Sequence, residues 1–258
     1  MEYVNVSTIE FERFVLVLLR VGAILMSAPL FSASAVPKTV KVCLSVGVSF
    51  AMLPVVGPGM LLSEIPVHKL AALGANEILL GVSLGILARL FIAAVDMAAE
   101  VMGFQMGFGI VTAIDPTTRG SISLLAQFQS VITALMILGT NAHHFIFRAI
   151  AESFKRIPLM GFSPTPNLWA LFIETSRNVF VLALKFAAPT MVVLMLTSVA
   201  LGIVARTVPQ MNIFIVGLSL QIIVGFAVLV LSVSMYGMLY GHALADMGSV
   251  ISRFTRAF

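Results

Sequence analysis

Charge is what this chain has least of. Only 10% of its 258 residues are Asp, Glu, Lys or Arg, where a soluble domain carries about 25%. Hydrophobic residues make up 60%, and the mean hydropathy is +1.09. A core of this size needs a polar shell, and there are too few polar residues to build one. Most of the surface must therefore face lipid or other apolar protein, which makes this an integral membrane or membrane-assembled chain. Cysteine is scarcer still. The single Cys43 excludes an intrachain disulfide and a cysteine-based metal cluster, and it reads as a small buried hydrophobe. The net charge of +4 is dispersed, with no basic block long enough to hold nucleic acid.

Signals for chemistry are equally sparse. His143 and His144 are adjacent, so on a helix they diverge by about 100° and cannot chelate as an i, i+4 pair would. A polar helix end accounts for them better. His68 and His242 are isolated. Gly103, Gly107 and Gly109 do not spell a dinucleotide loop, and no Gly-x-x-x-x-Gly-Lys phosphate loop is present. No nucleophile stands beside a base. The expectation is a non-enzyme with no catalytic residue, cofactor or metal site.

What the chain does have is long apolar runs. A spanning helix needs about 20 predominantly apolar residues. Six runs qualify: 14–36, 40–62, 70–95, 121–147, 179–205 and 213–240. The first follows MEYVNVSTIEFERF, whose Glu2, Glu10 and Glu12 are unlike a basic signal-peptide start, so it reads as retained. Turn chemistry separates the runs at Val36-Pro37-Lys38, at the Pro54/Gly57/Pro58/Gly59 cluster and at Ser163-Pro164-Thr165-Pro166-Asn167. The hydrophilic interval 148–178 divides a large N-terminal part from a C-terminal hairpin that turns at 206–210. With six spans, Lys38, Lys41, Arg119 and Arg206 fall on one side. Arg13, Lys69, Arg148, Lys155, Arg156, Arg177, Arg253 and Arg256 fall on the other, which puts both termini in the cytoplasm.

Two features fit poorly with plain spans. Arg20, Glu77, Arg89, Asp96, Glu100 and Lys185 lie inside or at the rims of apolar runs. A central charge costs about 2.5–3.5 kcal/mol on insertion scales, so each needs a partner or water. No charge occurs from Thr207 to Ala245. A single helix over most of that stretch would be roughly 50 Å long, against a hydrocarbon core of about 30 Å. It must tilt, bend or extend beyond the bilayer, with Gly217, Gly225, Gly237 and Gly241 as candidate bends.

Small residues one turn apart let helix backbones approach closely. Gly81-x-x-x-Gly85 and Gly103-x-x-x-Gly107 both have that spacing, suited equally to packing within the chain and to packing against another subunit. The second lies in MGFQMGFGIVTAIDPTTRG, Met102 to Gly120. Methionine re-packs readily, and glycine disfavours helix by about 1 kcal/mol relative to Ala. Asp115-Pro116 fits an N-cap and first helical position for a helix restarting toward Gly139. The segment reads either as a kinked packing helix or as a soft plug that blocks a pore and moves aside.

Several motifs together resemble the FliR/SctT family of type III export-gate subunits. They are Ile24-Leu25 with Ala28-Pro29, Val36-Pro37-Lys38-x-x-Lys41, and Glu77-Ile-Leu-Leu-Gly81-x-x-x-Gly85. Ala99-Glu100-x-x-Gly103-x-Gln105-Met106-Gly107 follows with Asp115-Pro116, then Asn141-x-His143, Ser153-Phe154 and Pro158. The last are Ala188-Pro189 and Gly202-x-x-x-Arg206-x-x-Pro209-Gln210-Met211-Asn212-x-Phe214-x-x-Gly217. These pieces span nearly the whole chain in the family's order, with the flagellar branch the fuller match and the virulence secretion branch the alternative.

The resemblance implies an all-α protein of bent helical hairpins, built into a helical multi-subunit gate in the bacterial inner membrane at the flagellar basal body. The assembled gate would protrude toward the periplasmic side. Residues 1–178 would correspond to a FliP-like part and 179–258 to a FliQ-like hairpin with a basic tail. FliP-like and FliQ-like subunits would be the immediate partners, with FlhB-like and FlhA-like export components, membrane lipid and unfolded flagellar substrates beyond them. The plug would lie within 103–120, with Gly103, Phe104, Gln105, Met106, Gly107, Phe108, Gly109, Ile110, Asp115 and Pro116 as its candidate residues. Phe104, Met106, Phe108 and Ile110 are the expected sealing side chains. Glu77, Gly81, Gly85, Arg89, Glu100, Arg206, Pro209, Gln210 and Asn212 are the candidates for subunit packing or buried charge. From a different class, a small-solute secondary transporter would use Glu77, Arg89, Asp96 and Glu100 as a coupling path.

Overall fold

The computed structural model describes residues 8–29, 36–56, 67–109, 124–162, 166–208, 210 and 212–256. All regular structure among them is helical: α1 Thr8–Ser27, α2 Lys38–Val56, α3 Val67–Gln105, α4 Leu124–Gly139, α5 His143–Arg156, α6 Pro166–Thr207, α7 Ile213–Leu231 and α8 Val233–Arg256. Three of these, α2, α3 and α6, are long and apolar enough to cross a membrane. Two further spans are possible if the bent pairs α4–α5 and α7–α8 each count as one. The first apolar run is not among them, because α1 stops at Ser27 and carries Glu10, Glu12, Arg13 and Arg20 within 20 residues. The interval 148–178 is not a plain linker either, since α5 and the first turns of α6 occupy much of it.

Two compact units divide the chain. The first combines Met1–Leu90, Asn141–Thr175 and Asp246–Phe258. Its α1 buries Leu16, Val17, Arg20, Val21, Ile24 and Leu25, spaced to make one stripe of a 3.6-residue helix. That stripe meets α3 where α3 has no side chains. A Cβ built on Gly81 would stand 2.7 Å from the Arg20 carbonyl oxygen, and one on Gly85 would stand 2.7 Å from Ser27 Cβ. The glycine pair is therefore spent on backbone approach between two helices of the same chain.

At the centre of this contact are Arg20 and Glu77, both 0% exposed. Arg20 Nε donates to Glu77 Oε2. Its Nη1 donates to the carbonyls of Ile157 at 2.8 Å and Ser153 at 3.3 Å, and its Nη2 to that of Pro158 at 3.3 Å. The guanidinium also lies 4.4 Å from the centroid of the Phe154 ring. These carbonyls are at or just past the end of α5, where unpaired acceptors and the negative end of the helix dipole favour a cation. The other Glu77 oxygen accepts the Met160 N–H at 2.8 Å. Met160 has φ 67° inside a turn closed by Gly161 N–H to Pro158 carbonyl at 3.0 Å. A bulky residue there is strained, and the carboxylate holds it.

Helix α2 inverts the usual pattern. It buries Ser45 and Ser49 while exposing Val40, Val42, Phe50 and Val55. Ser45 Oγ donates to the Lys41 carbonyl at 2.8 Å and Ser49 Oγ to the Ser45 carbonyl at 2.6 Å, so the inward hydroxyls are satisfied within their own helix. Cys43 follows the same inversion. It is exposed rather than buried, on a helix whose outside is apolar. Arg13 Nη2 caps the far end of α2 through the Leu53 carbonyl at 2.7 Å.

The second unit comprises Phe91–Thr140 and Ser176–Ala245. Its interior centres on Phe186, whose ring lies 5.0 Å from that of Tyr240 and 5.8 Å from that of Tyr236. The Tyr240 hydroxyl shares a hydrogen bond with Thr133 at 2.7 Å and accepts from Gln129 Nε2 at 3.3 Å. Buried hydroxyls and amides here find each other, as a dry interior requires. The long uncharged stretch does bend, by 60°, but between Leu231 and Val233 rather than at a glycine. Ser232 N–H still reaches the Val228 carbonyl and Tyr236 N–H the Ser232 carbonyl, both at 2.9 Å, so the bend keeps backbone bonds on either side.

Two stability predictions follow from the first unit. Removing either partner of a buried ion pair leaves a charge uncompensated, at about 3–5 kcal/mol. Arg20→Met and Glu77→Leu should each show that loss in thermal unfolding of the detergent-purified protein. The reversed pair should not recover it, because a carboxylate at position 20 would face the α5 carbonyls. Gly81→Ala should cost about 1–3 kcal/mol by overpacking. Gly22→Ala, where an added Cβ meets nothing within 4 Å, should be neutral or stabilising by up to about 1 kcal/mol. Equal melting of the two alanine variants would contradict this packing.

Candidate functional site

The site is the end of α3 in the second unit. Helix α3 is regular to Gln105 and then closes on itself. Met106 N–H bonds the Met102 carbonyl at 2.9 Å, Gly107 N–H the Phe104 carbonyl at 3.1 Å, and Phe108 N–H the Gly103 carbonyl at 3.0 Å. The last two are the 5→2 and 6→1 bonds of a Schellman stop. It needs a left-handed residue one place past the cap, and Gly107 supplies it with φ 89°. The glycine-rich spelling GFQMGF is therefore a helix terminator: it gives the last carbonyls partners and ends the helix at a defined residue.

The end of the helix sits on α7. A Cβ on Gly107 would lie 3.2 Å from Leu218 Cδ1 and 3.9 Å from Gln221 Oε1, and one on Gly225 would lie 2.7 Å from Met106 Cγ. Leu218, Gln221 and Gly225, at i, i+3 and i+7, share a face of α7. Gln221 is itself held, its Nε2 donating to Ser198 Oγ of α6 at 3.1 Å. One turn along, a Cβ on Gly217 would be 3.4 Å from Leu201 Cδ1. Met106 is 0% exposed and Phe104 is 78% exposed, so two neighbouring apolar side chains are in opposite situations. The Phe104 ring lies against Gly109, at 2.9 Å from a Cβ built there.

The other candidate residues do not converge on this end. Glu77, Gly81 and Gly85 belong to the α1–α3 contact of the first unit. Arg89 and Glu100 are exposed on α3. Arg206 is exposed in the last turn of α6, where a cation suits the helix dipole. Gln210 and Asn212 are exposed in the turn before α7. Asn212 Oδ1 accepts the Ile215 N–H at 3.4 Å as an N-cap. Ile110, Asp115, Pro116 and Pro209 lie outside the described residues, as does the rest of the segment to Gly120. Residues that sequence reasoning passed over are Ser198, Leu218 and Gln221, while Gly225 was assigned a bend and instead receives a side chain. The Leu218/Gln221/Gly225 spacing was the available signal.

The model for bacterial export proteins, family 1, matches residues 11–247. The chain belongs to that family. It is 37% identical over 227 residues to the flagellar biosynthetic protein FliR of Bacillus subtilis strain 168, covering 87% of each chain. It is 28% identical over 237 residues to FliR of Escherichia coli K12, covering 91% of this chain and 89% of that one. FliR of Aquifex aeolicus is 29% identical over 258 residues, with 96% of each covered. As a FliR-family member with several apolar helices able to span a bilayer, the protein is a membrane-embedded component of flagellar export. Its relatives serve transport and are not a known enzyme family.

The helix stop yields a ranking. Gly107→Ala should lose about 1–2 kcal/mol for the left-handed backbone, plus the contact with Leu218. Gly107→Asn should lose less, because asparagine also occupies this cap position, and Gly107→Val should lose most. Thermal unfolding of the four purified proteins checks the order, and an alanine variant as stable as the parent would remove the cap assignment.

Proposed function

We propose that the protein is a core subunit of the flagellar type III export gate and forms part of the pore through which unfolded flagellar subunits pass. In this reading the Gly/Met/Phe-rich segment 103–120 seals that pore. The observation that carries it is the closed helix stop at Gly103–Phe108, which separates a firmly packed α3 from the apolar sequence continuing past Gly109. An apolar seal excludes water and ions, since a charged group at the constriction would hydrate it. Of the expected sealing residues, Phe104 is exposed and Met106 is buried, so Met106 anchors in this reading, while Phe104, Phe108 and Ile110 seal and Asp115-Pro116 restarts the helix.

The outer surface supports membership in a larger assembly. Trp169, Ile173, Phe180, Leu184, Met195, Leu196 and Ile203 are all exposed along α6, far more apolar surface than a soluble monomer shows. At about 1.5 Å per residue, α6 is roughly 63 Å along its path against a hydrocarbon core of about 30 Å, so with Pro189 inside it it must tilt, bend or extend beyond lipid into protein. FliP-like and FliQ-like subunits are the proposed neighbours, with FlhB-like and FlhA-like export components as further partners. The location is the inner membrane within the basal body, with the assembled gate extending toward the periplasm. The proposed likeness of 179–258 to a FliQ-like hairpin starts within α6. Small-solute coupling through Glu77 is disfavoured, because both of its carboxylate oxygens are engaged by Arg20 and Met160.

Deletion of Phe108–Ala113 tests the reading. The tagged variant should still co-purify with two other small membrane proteins, while the cells become permeable to small ions or metabolites. Intact assembly with unchanged permeability would remove the plug.

A further inference from the structure

A groove of about 500 Å³ runs through the first unit, lined among others by Leu19, Gly22 and Met26 of α1, Val42 and Val46 of α2 and Ile78 of α3. Met26, Val42 and Ile78 are exposed, so it opens outward. Its two hydroxyls are spent on their own helices, Ser27 Oγ donating to the Ala23 carbonyl and Ser45 Oγ to the Lys41 carbonyl. None of its lining residues is charged. A Cβ added at Gly22 would meet nothing within 4 Å, so the chain leaves the groove unfilled there. Such a space takes an apolar occupant.

The charge stands at one end. The Phe14 and Phe50 rings are 4.5 Å apart and Arg13 reaches the Leu53 carbonyl, while Met26 and Val42 share the groove. Helices α1 and α2 are therefore antiparallel, with the first turn of α2 beside the last turn of α1. Lys38 and Lys41 are on that first turn, four residues before Val42 and Ser45, hence on the groove face. Lys38 is exposed. From Lys38 to Val46 is roughly 12 Å along the helix, most of one leaflet of a hydrocarbon core about 30 Å thick. We propose that this groove binds one anionic phospholipid, with an acyl chain along Gly22 and the headgroup at Lys38 and Lys41. A partner helix would fill the apolar part and offer nothing to Lys38. An amphiphile with an anionic end matches both, because a lysine stem lies along apolar surface while its ammonium stays at the interface.

The test is photo-crosslinking in vesicles. The tagged protein, with the subunits that co-purify, is returned to phosphatidylcholine vesicles carrying a trace of phosphatidylglycerol with a diazirine in its acyl chain. Label should appear on peptides covering 18–27 and 42–46, and a phosphatidylcholine probe with the same chains should label them far less. One lysine near anionic lipid is worth about fivefold, so Lys38→Gln should lower the phosphatidylglycerol label by about that factor and Lys38→Arg should restore it. Gly22→Phe fills the groove and should abolish the label with no loss of thermal stability in detergent. Should Gly22→Phe not fold, the lysine pair of variants at the exposed position 38 decides alone. Equal labelling by the two probes overturns the proposal, since the lysines would then select nothing. Absence of lipid label on these peptides overturns it too. A photoreactive side chain at position 78 then reads whether a helix of a second copy or of a co-purifying subunit fills the groove instead.

Discussion

Everything in the first unit is arranged around one buried guanidinium. Taking Arg20 and Glu77 out of water costs several kcal/mol per ion, and the pair is sustained because each of the three guanidinium nitrogens has an acceptor. Nε takes the carboxylate, and the two terminal nitrogens take three carbonyls from the end of α5 and the turn after it. A lysine ammonium has three donors on one nitrogen, one fewer than the carboxylate and three carbonyls take, whereas the planar fork of arginine spreads five donors over three nitrogens. The consequence is geometric. Helices α1, α3 and α5 are fixed to one another through a single side chain, and Glu77 extends the reach to Met160, whose positive φ is tolerated because its N–H has a charged acceptor. In a chain with so few charges, two are placed where they specify which helices meet.

Glycine supplies the complementary device, by two different physical routes. Gly81 and Gly85 act through volume: absent side chains let α3 approach the α1 backbone closely enough for Arg20 and Glu77 to be enclosed. Gly225 does the same for Met106. Gly107 acts through conformation, since its left-handed backbone ends α3 with the carbonyls of Gly103 and Phe104 satisfied. At 0.5–1.5 kcal/mol net per hydrogen bond and about 1.5–3 kcal/mol for a fully buried Met side chain, the end of α3 is held by several kcal/mol of local contacts. The glycines that looked like loosening elements in composition are therefore tightening ones in place.

How much of this could be read from the chain depends on the range of the interaction. Membrane character and the all-helical class are sums over local residues, and hydropathy captured them. The small-residue spacing at Gly81 and Gly85 was visible, but its partner was not, because Ala23 and Ser27 lie more than fifty positions away and spacing on one helix is silent about the other. Hydropathy also assumes that apolar residues point inward, and α2 violates this: Ser45 and Ser49 satisfy their hydroxyls on their own backbone and turn inward, leaving Val42 and Cys43 outside. The bend at Ser232 escaped notice for a related reason. Glycine is the usual suspect in a long uncharged run, yet Gly217 and Gly225 were already committed to packing against Leu201 and Met106. At the candidate site, the spelling GFQMGF exposed the irregularity, while the seat on α7 is a contact across more than a hundred residues.

A seal in a protein conduit has to satisfy two demands that oppose each other. It must be apolar and closely fitted to exclude ions, and it must yield when a chain arrives. A uniformly packed helix meets the first and fails the second, because close-packed interiors shift between discrete arrangements and do not deform continuously. A uniformly loose segment fails the first. Ending a helix at a defined residue resolves the conflict by placing the two properties on either side of one backbone position. Up to Gly107, the last carbonyls of α3 have hydrogen-bond partners and Met106 is buried. Just past it, the Phe108 N–H makes the 6→1 bond of the stop, and the proposed seal follows in the sequence. Met106 and Phe104, two residues apart at this helix end, have opposite exposures, one buried and one open.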